Sequence, residues 1–176
     1  MAAMVFATAC CVPVWAAQPA VSLCNEGESV VFSCEVGKAY ASVCASQDLS
    51  PTQGYIQYRH GQPGHLDMEY PSVSSSRMAV FKAGSLIFSG GGGAWLRIVR
   101  NSFSYTIFTA SGKWAKNGGI ADAAGVVVKK NNRDIASKSC SGRPTSQLGS
   151  EFFRKAGIQE SSDPDAFEIP DAFFPE

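Results

Sequence analysis

Beyond its first seventeen residues the chain alternates apolar and polar positions in short runs, and glycine, asparagine and serine turns separate the runs. Such a period of two is the mark of strands, because successive side chains point to opposite faces. "SVVFSCEVGKAYASVCAS" reads as a hairpin turning at Gly37 and Lys38, and "YIQYRHGQPGHLDMEYP", Tyr55 to Pro71, as a second. "MAVFKAG" and "SLIFSG" predict two short strands around Gly84, followed by a flexible run from Gly90 to Gly93. "AWLRIVRNSFSYTIFTASG" carries two strands around Asn101 and Ser102, and "GVVVKKNNRDIASKSC" two more around Asn131 and Asn132. The total is about eight to ten antiparallel strands, an all-β fold that is a small barrel or sandwich over residues 18–145.

Helical spacing appears only in "SQLGSEFFRKAGI", Ser146 to Ile158. Ser146 is placed to cap it, Leu148, Phe152 and Phe153 lie near one face, and Gly157 ends it. The remainder, residues 159–176, mixes acids and prolines with Phe167, Phe173 and Phe174. This is an extended tail, either disordered or docked through its aromatic rings.

Met1 to Ala17, "MAAMVFATACCVPVWAA", is apolar and uncharged but short for a bilayer span, so it reads as a secretory signal segment. Val14 and Ala16 occupy the small-residue positions of a cleavage site. A lipoprotein-like "ATAC" before Cys10 makes a lipid anchor the lesser alternative. Export to the periplasm or beyond leaves Cys24, Cys34, Cys44 and Cys140, an even number that predicts two disulfides. With a two-residue turn at Gly37 and Lys38, Cys34 opposes Ala41 and Cys44 opposes Val31, which puts the two cysteines on opposite faces. Cys24 then meets Cys44, and Cys34 is left for Cys140 on the last strand; a wider loop would reopen the question.

Both histidines, His60 and His65, sit in the second hairpin with Arg59, Asp67 and Glu69. A three-residue loop, Gln62 to Gly64, would set Arg59 opposite Asp67 and Gln57 opposite Glu69 on a solvated face. Ile56, Tyr58, Leu66, Met68 and Tyr70 would share the apolar face. In that register the two histidines diverge, which argues against a metal site. No cofactor motif and no nucleic-acid-binding module is expected.

Formal charge is zero overall but unevenly spread. From Arg77 to Arg143 eleven basic residues face Asp122 and Asp134, a net of +9, whereas Gln159 to Glu176 holds six acids and no base. The central half could draw an anionic partner, or the tail could neutralise it within the molecule. Gly90 to Gly93 has no following helix with which to cradle a phosphate, and "SVSSS", Ser72 to Ser76, reads as a linker without a catalytic elbow. The most suggestive exposed cluster is "SGKWAKNGG", where Trp114 stands between Lys113 and Lys116 in a glycine-bounded loop.

Through "FSC", "GKAYASVC", "YRHG", "MEYP", "YTIFTASG" and "GVVVKKNNRDIASKSC" the chain resembles uncharacterised exported proteins of Gram-negative bacteria. More distantly its layout is similar to the membrane-bound and periplasmic inhibitors of c-type lysozyme, small eight-stranded β-barrels. That resemblance also implies a bond between Cys34 and Cys140, and an inhibitory loop serine and lysine that enter the lysozyme cleft. Here "SGGGGAW" offers Ser89 and Gly90, with glycine in the expected tyrosine place and Trp95 two residues late. "FTASGKW" offers Lys113 after Gly112, the reverse of the family's order. The expected function is a non-enzymatic binding protein of the cell envelope, conceivably a lysozyme-type hydrolase inhibitor. It would present Ser89, Gly90, Trp95, Lys113, Trp114 and Lys116 to a protein or an anionic glycan. The alternatives are an envelope hydrolase using His65, Asp67 and Glu69, and a structural envelope protein.

Overall fold

The computed structural model describes residues 21–72 and 80–174. The expected signal segment, Met1 to Ala17, and most of the Ser72 to Ser76 linker lie outside the described residues. Ten strands form two five-stranded antiparallel sheets, a β-sandwich that does not close into a barrel. The first sheet runs in the order β10 (Ser141–Ser146), β1 (Glu28–Val36), β2 (Ala39–Ser46), β3 (Ile56–Gln62), β4 (His65–Tyr70). The second runs β5 (Phe81–Phe88), β6 (Gly91–Arg100), β7 (Phe103–Gly112), β8 (Ala121–Lys130), β9 (Arg133–Ser139). Each strand from β5 to β9 pairs with its sequence neighbour, through two-residue turns except for the longer β7–β8 loop.

Between the sheets, Val43, Ile56 and Tyr58 pack with Leu96, Ile98, Ile107 and Val126, all buried. Tyr105 of β7 meets Tyr58 of β3 across the core, ring centres 5.6 Å apart. Phe153 and Ala156 of helix α1 (Ser150–Ala156) belong to the same cluster and are fully buried. The helix is shorter than the segment predicted: Gly149, not Ser146, stands at its N-cap, and Ser146 Oγ accepts from the Leu148 N–H instead. Gly157 ends it in the left-handed conformation, as expected.

The turns at Gly37–Lys38, Asn101–Ser102 and Asn131–Asn132 all form where the alternation breaks. Asn131 and Asn132 both take positive φ, 50° and 65°, the conformation of a tight hairpin turn. Both disulfides form, Cys24–Cys44 and Cys34–Cys140. The register near Cys44 differs from expectation, because a bulge at Val31 sets Cys44 opposite Val30. Cys140 lies at the crossover between β9 and β10 rather than within a strand.

Three further expectations are corrected. β5 is one strand, not two short ones: Gly84 stays extended because the Trp95 indole lies over it, and a Cβ there would come within 2.8 Å of the ring. Gly91 to Gly93 belong to β6, not to a flexible run; a Cβ at Gly93 would run into the Thr109 carbonyl of β7, so the close strand approach requires glycine. "SGRPTS", for which the alternation predicts no strand, is β10, whose Pro144 is tolerated because β10 is an edge strand.

The outer faces are covered over their central strands, whereas the edge strands β4 and β9 stay exposed. Over the first sheet, residues 21–27 cover Ser33, Ser42, Gln57 and Arg59, each at most 3% exposed. Over the second, the tail docks through Phe167, Ile169 and Phe173 onto Leu86, Trp95, Phe108, Ala123 and Val127, a second core cluster.

Candidate functional site

The turn between β5 and β6, Ser89–Gly90, and the loop between β7 and β8, residues 113–120, lie at the same end of the second sheet. Gly90 takes φ 76°, and a Cβ in its place would lie 2.7 Å from Cδ of Lys113. The lysine stem therefore rests on the glycine turn, which fuses the two loops into one surface. Lys113 and Lys116 are exposed. The loop holds its shape by its own backbone, with Ala115 N–H donating to Gly119 O (3.2 Å) and Gly118 N–H to Ala115 O (2.8 Å).

Trp114 is an anchor rather than a stacking platform. Its ring packs edge-on against Phe88 at 5.2 Å and Phe174 at 5.3 Å, and its Nε1 is buried without a hydrogen-bond partner among the described residues. Trp95 is withdrawn from the surface altogether, 2% exposed beneath Phe167 and the Arg97 guanidinium. Arg97 donates to Ala166 O and Thr106 Oγ1, and burial lowers its pKa. Of the six residues assigned to binding, Ser89, Gly90, Lys113 and Lys116 thus line one surface, Trp114 fixes it from behind, and Trp95 is core.

The β3–β4 hairpin departs from the expected register. Its loop has two residues, Pro63 and Gly64, and the compensating extra residue is a bulge at Asp67. Arg59 consequently opposes Glu69, not Asp67. The bulge also undoes the divergence of the histidines: Asp67 Oδ2 lies 3.4 Å from His60 Nδ1, and Oδ1 lies 3.8 Å from His65 Nε2. These groups are open to water, with the His65 side chain 82% and the Asp67 side chain 55% exposed.

Arg59 is buried rather than on a solvated face. It grips Glu28 through two parallel bonds of 2.5 and 2.9 Å, and also donates to Glu69 (2.7 Å), Gln57 (2.6 Å) and Leu23 O (3.1 Å). Tyr55 OH and Asn25 N–H complete the shell of Glu28 at 2.7 and 2.6 Å. Burial opposes the Glu28 charge, but the bonds from Arg59, Tyr55 and Asn25 outweigh it and hold the carboxyl below its ordinary pKa. The same pairing, against the same burial, raises the Arg59 pKa. This network stands beside the Cys24–Cys44 bond and fastens residues 21–27 to the sheet. The only cluster of three metal-type ligand groups found among the described residues is Cys24, Cys44 and Glu28, and both of its sulfurs are committed to the disulfide.

Two disulfides point to an oxidising, extracytoplasmic compartment, and among the described residues no helix is long and apolar enough to cross a membrane. Comparison with protein-family models, with curated proteins and with solved structures gives no match.

Proposed function

We propose that the chain is an exported, non-enzymatic binding protein of the cell envelope. Its contact surface is the loop end of the second sheet, where Lys113 and Lys116 meet an acidic protein cleft or an anionic glycan. The observation that carries the reading is the seating of the Lys113 stem on Gly90, with Trp114 locked between Phe88 and Phe174. Such a loop loses little conformational entropy on binding, because its geometry is set beforehand. The periplasm is the compartment this reading favours, and the distant resemblance to lysozyme inhibitors makes a c-type lysozyme the first partner to test.

The test is a pull-down from envelope extract, with titration calorimetry against c-type lysozyme, using the signal-free chain and a Lys113→Ala/Lys116→Ala variant. The reading expects capture of a partner by the parent and at least about tenfold weaker binding by the variant, with unchanged folding. Equal affinity of the two proteins for every captured partner would reject this surface.

A second reading, an envelope hydrolase at the β3–β4 tip, draws on Asp67 standing beside both imidazoles. Turnover of a glycan or ester that disappears with His60→Ala, His65→Ala and Asp67→Ala would support it. Absence of turnover in the parent would remove it.

A further inference from the structure

β5 is an edge strand of the second sheet. Val80 O accepts from Val99 N–H on the β6 side, so the alternate residues Phe81, Ala83, Ser85 and Ile87 turn their backbone N–H and C=O groups outward. The tail covers the first of these groups: Ala83 bridges in parallel with Glu160, and Ala83 O accepts from Ser161 N–H at 2.8 Å. Beyond that point the tail leaves the strand for a single helical turn at Pro164–Ala166. No described strand lies beside the outward groups of Ser85 and Ile87.

Ile87, in this open stretch, is 90% exposed. An uncovered strand edge carrying a large aliphatic side chain is what proteins ordinarily avoid, because it invites another strand. Beside it runs a groove of about 670 Å³ whose apolar wall includes Leu86, Phe88 and Phe174. Its far wall is the tail, which contributes Asp163, Asp165, Glu168 and Asp171. Among the described residues no ion pair joins any of these carboxylates to a base. The tail thus docks by its rings; Asp163 faces the groove beside the open edge, and Asp165, Glu168 and Asp171 stand between it and a second groove that Arg97 and Lys129 line.

We propose that this edge accepts a strand from a partner: an extended basic segment alternating apolar residues with lysine or arginine. Its backbone pairs with Ser85 and Ile87, and its cations lie along the tail carboxylates. Backbone pairing supplies the affinity and the acidic wall selects the charge. This goes beyond the reading above, because it uses a different surface and a partner of opposite sign.

The probe is a fluorescein-labelled peptide, Lys-Val-Lys-Val-Lys-Val-Lys with blocked ends, set against the same peptide with Glu for every Lys. Anisotropy and amide hydrogen exchange are the readouts. The proposal expects saturable binding of the lysine peptide only, with new protection of the Ser85 and Ile87 amides. Ile87→Pro removes an outward N–H that makes no bond to β6, and it should weaken binding by about tenfold or more. Asp163→Asn with Asp165→Asn keeps the oxygen that accepts the Asp165 N–H, and it should weaken binding by about tenfold. Absence of saturable binding would overturn the proposal. So would binding that survives Ile87→Pro unchanged, which would mean charge attraction alone. Amides already protected in the free protein would show the edge occupied by the chain itself and would overturn it equally.

Discussion

The outer face of the first sheet sets Ser33, Ser42, Gln57 and Arg59 beneath residues 21–27, whereas the outer face of the second sets Trp95, Phe108 and Val127 beneath residues 160–174. Both faces are roofed by an end of the described chain, and the roofs use opposite chemistry. One is a fixed polar geometry: a bidentate Arg59–Glu28 pair, the Leu23 N–H bonded to Ser42 Oγ at 3.0 Å, and a disulfide. The other is aromatic area without a covalent tie, with Phe108 against Phe173 at 4.8 Å and Phe167 at 5.5 Å. A polar roof fails when one partner is lost, because a buried charge remains. An aromatic roof fails in proportion to the area removed. With the centres of both faces covered by the chain itself, the two proposed contact surfaces, the loop end and the β5 edge, lie outside the roofs.

The contrast is broken most severely by Arg59→Ala. Glu28 would then stay buried without its cation, and the stability measured by urea unfolding should fall by about 3–5 kcal/mol. Loss of under 1 kcal/mol would show that the pair holds nothing. On the other face, Phe167→Ala empties the space over Trp95 and Phe108 and should cost about 3 kcal/mol. Its signature differs: Trp95 becomes wetter, so tryptophan emission should shift to the red in the folded baseline. Replacing Cys24 and Cys44 by alanine opens a loop of sequence separation 20 and should cost about 2–3 kcal/mol, with residues 21–27 exchanging faster and the tail unaffected.

The turns at Gly37–Lys38, Asn101–Ser102 and Asn131–Asn132 were legible in the sequence, because alternation depends on nearby residues; the Cys24–Cys44 pairing came out right although the register at Cys44 is shifted by one, and Cys34–Cys140 followed by elimination. Gly84 and Gly93 were misread as breaks, since a glycine beneath an indole or a neighbouring carbonyl looks in one dimension like a glycine in a loop. The Asp67 bulge went unforeseen for a related reason: a two-residue turn plus a bulge restores the same facing of side chains as a three-residue turn. Arg59 was misplaced on solvent because nothing local announces that residues 21–27 will cover its face. The second roof did leave a signal. "AWL" and "TIF" put apolar residues on both faces of β6 and β7, and the tail supplies unassigned phenylalanines to meet the outward ones. Lys113 and Lys116 were placed correctly as exposed loop residues, while the burial of Trp95 follows from that same second roof.

Acid separates the two roofs most directly. Glu28 has a lowered folded pKa, so its contribution is fully present above the unfolded value of about 4.5 and is lost as pH falls through the folded one. The phenylalanine rings of the other roof do not titrate. Residue-resolved amide exchange, followed from neutral pH down through the carboxylate range, compares the Leu23 N–H on Ser42 with the Ser161 N–H on Ala83. The account predicts that Leu23 loses protection first while Ser161 keeps it. Simultaneous loss, or release of Ser161 before Leu23, would contradict it.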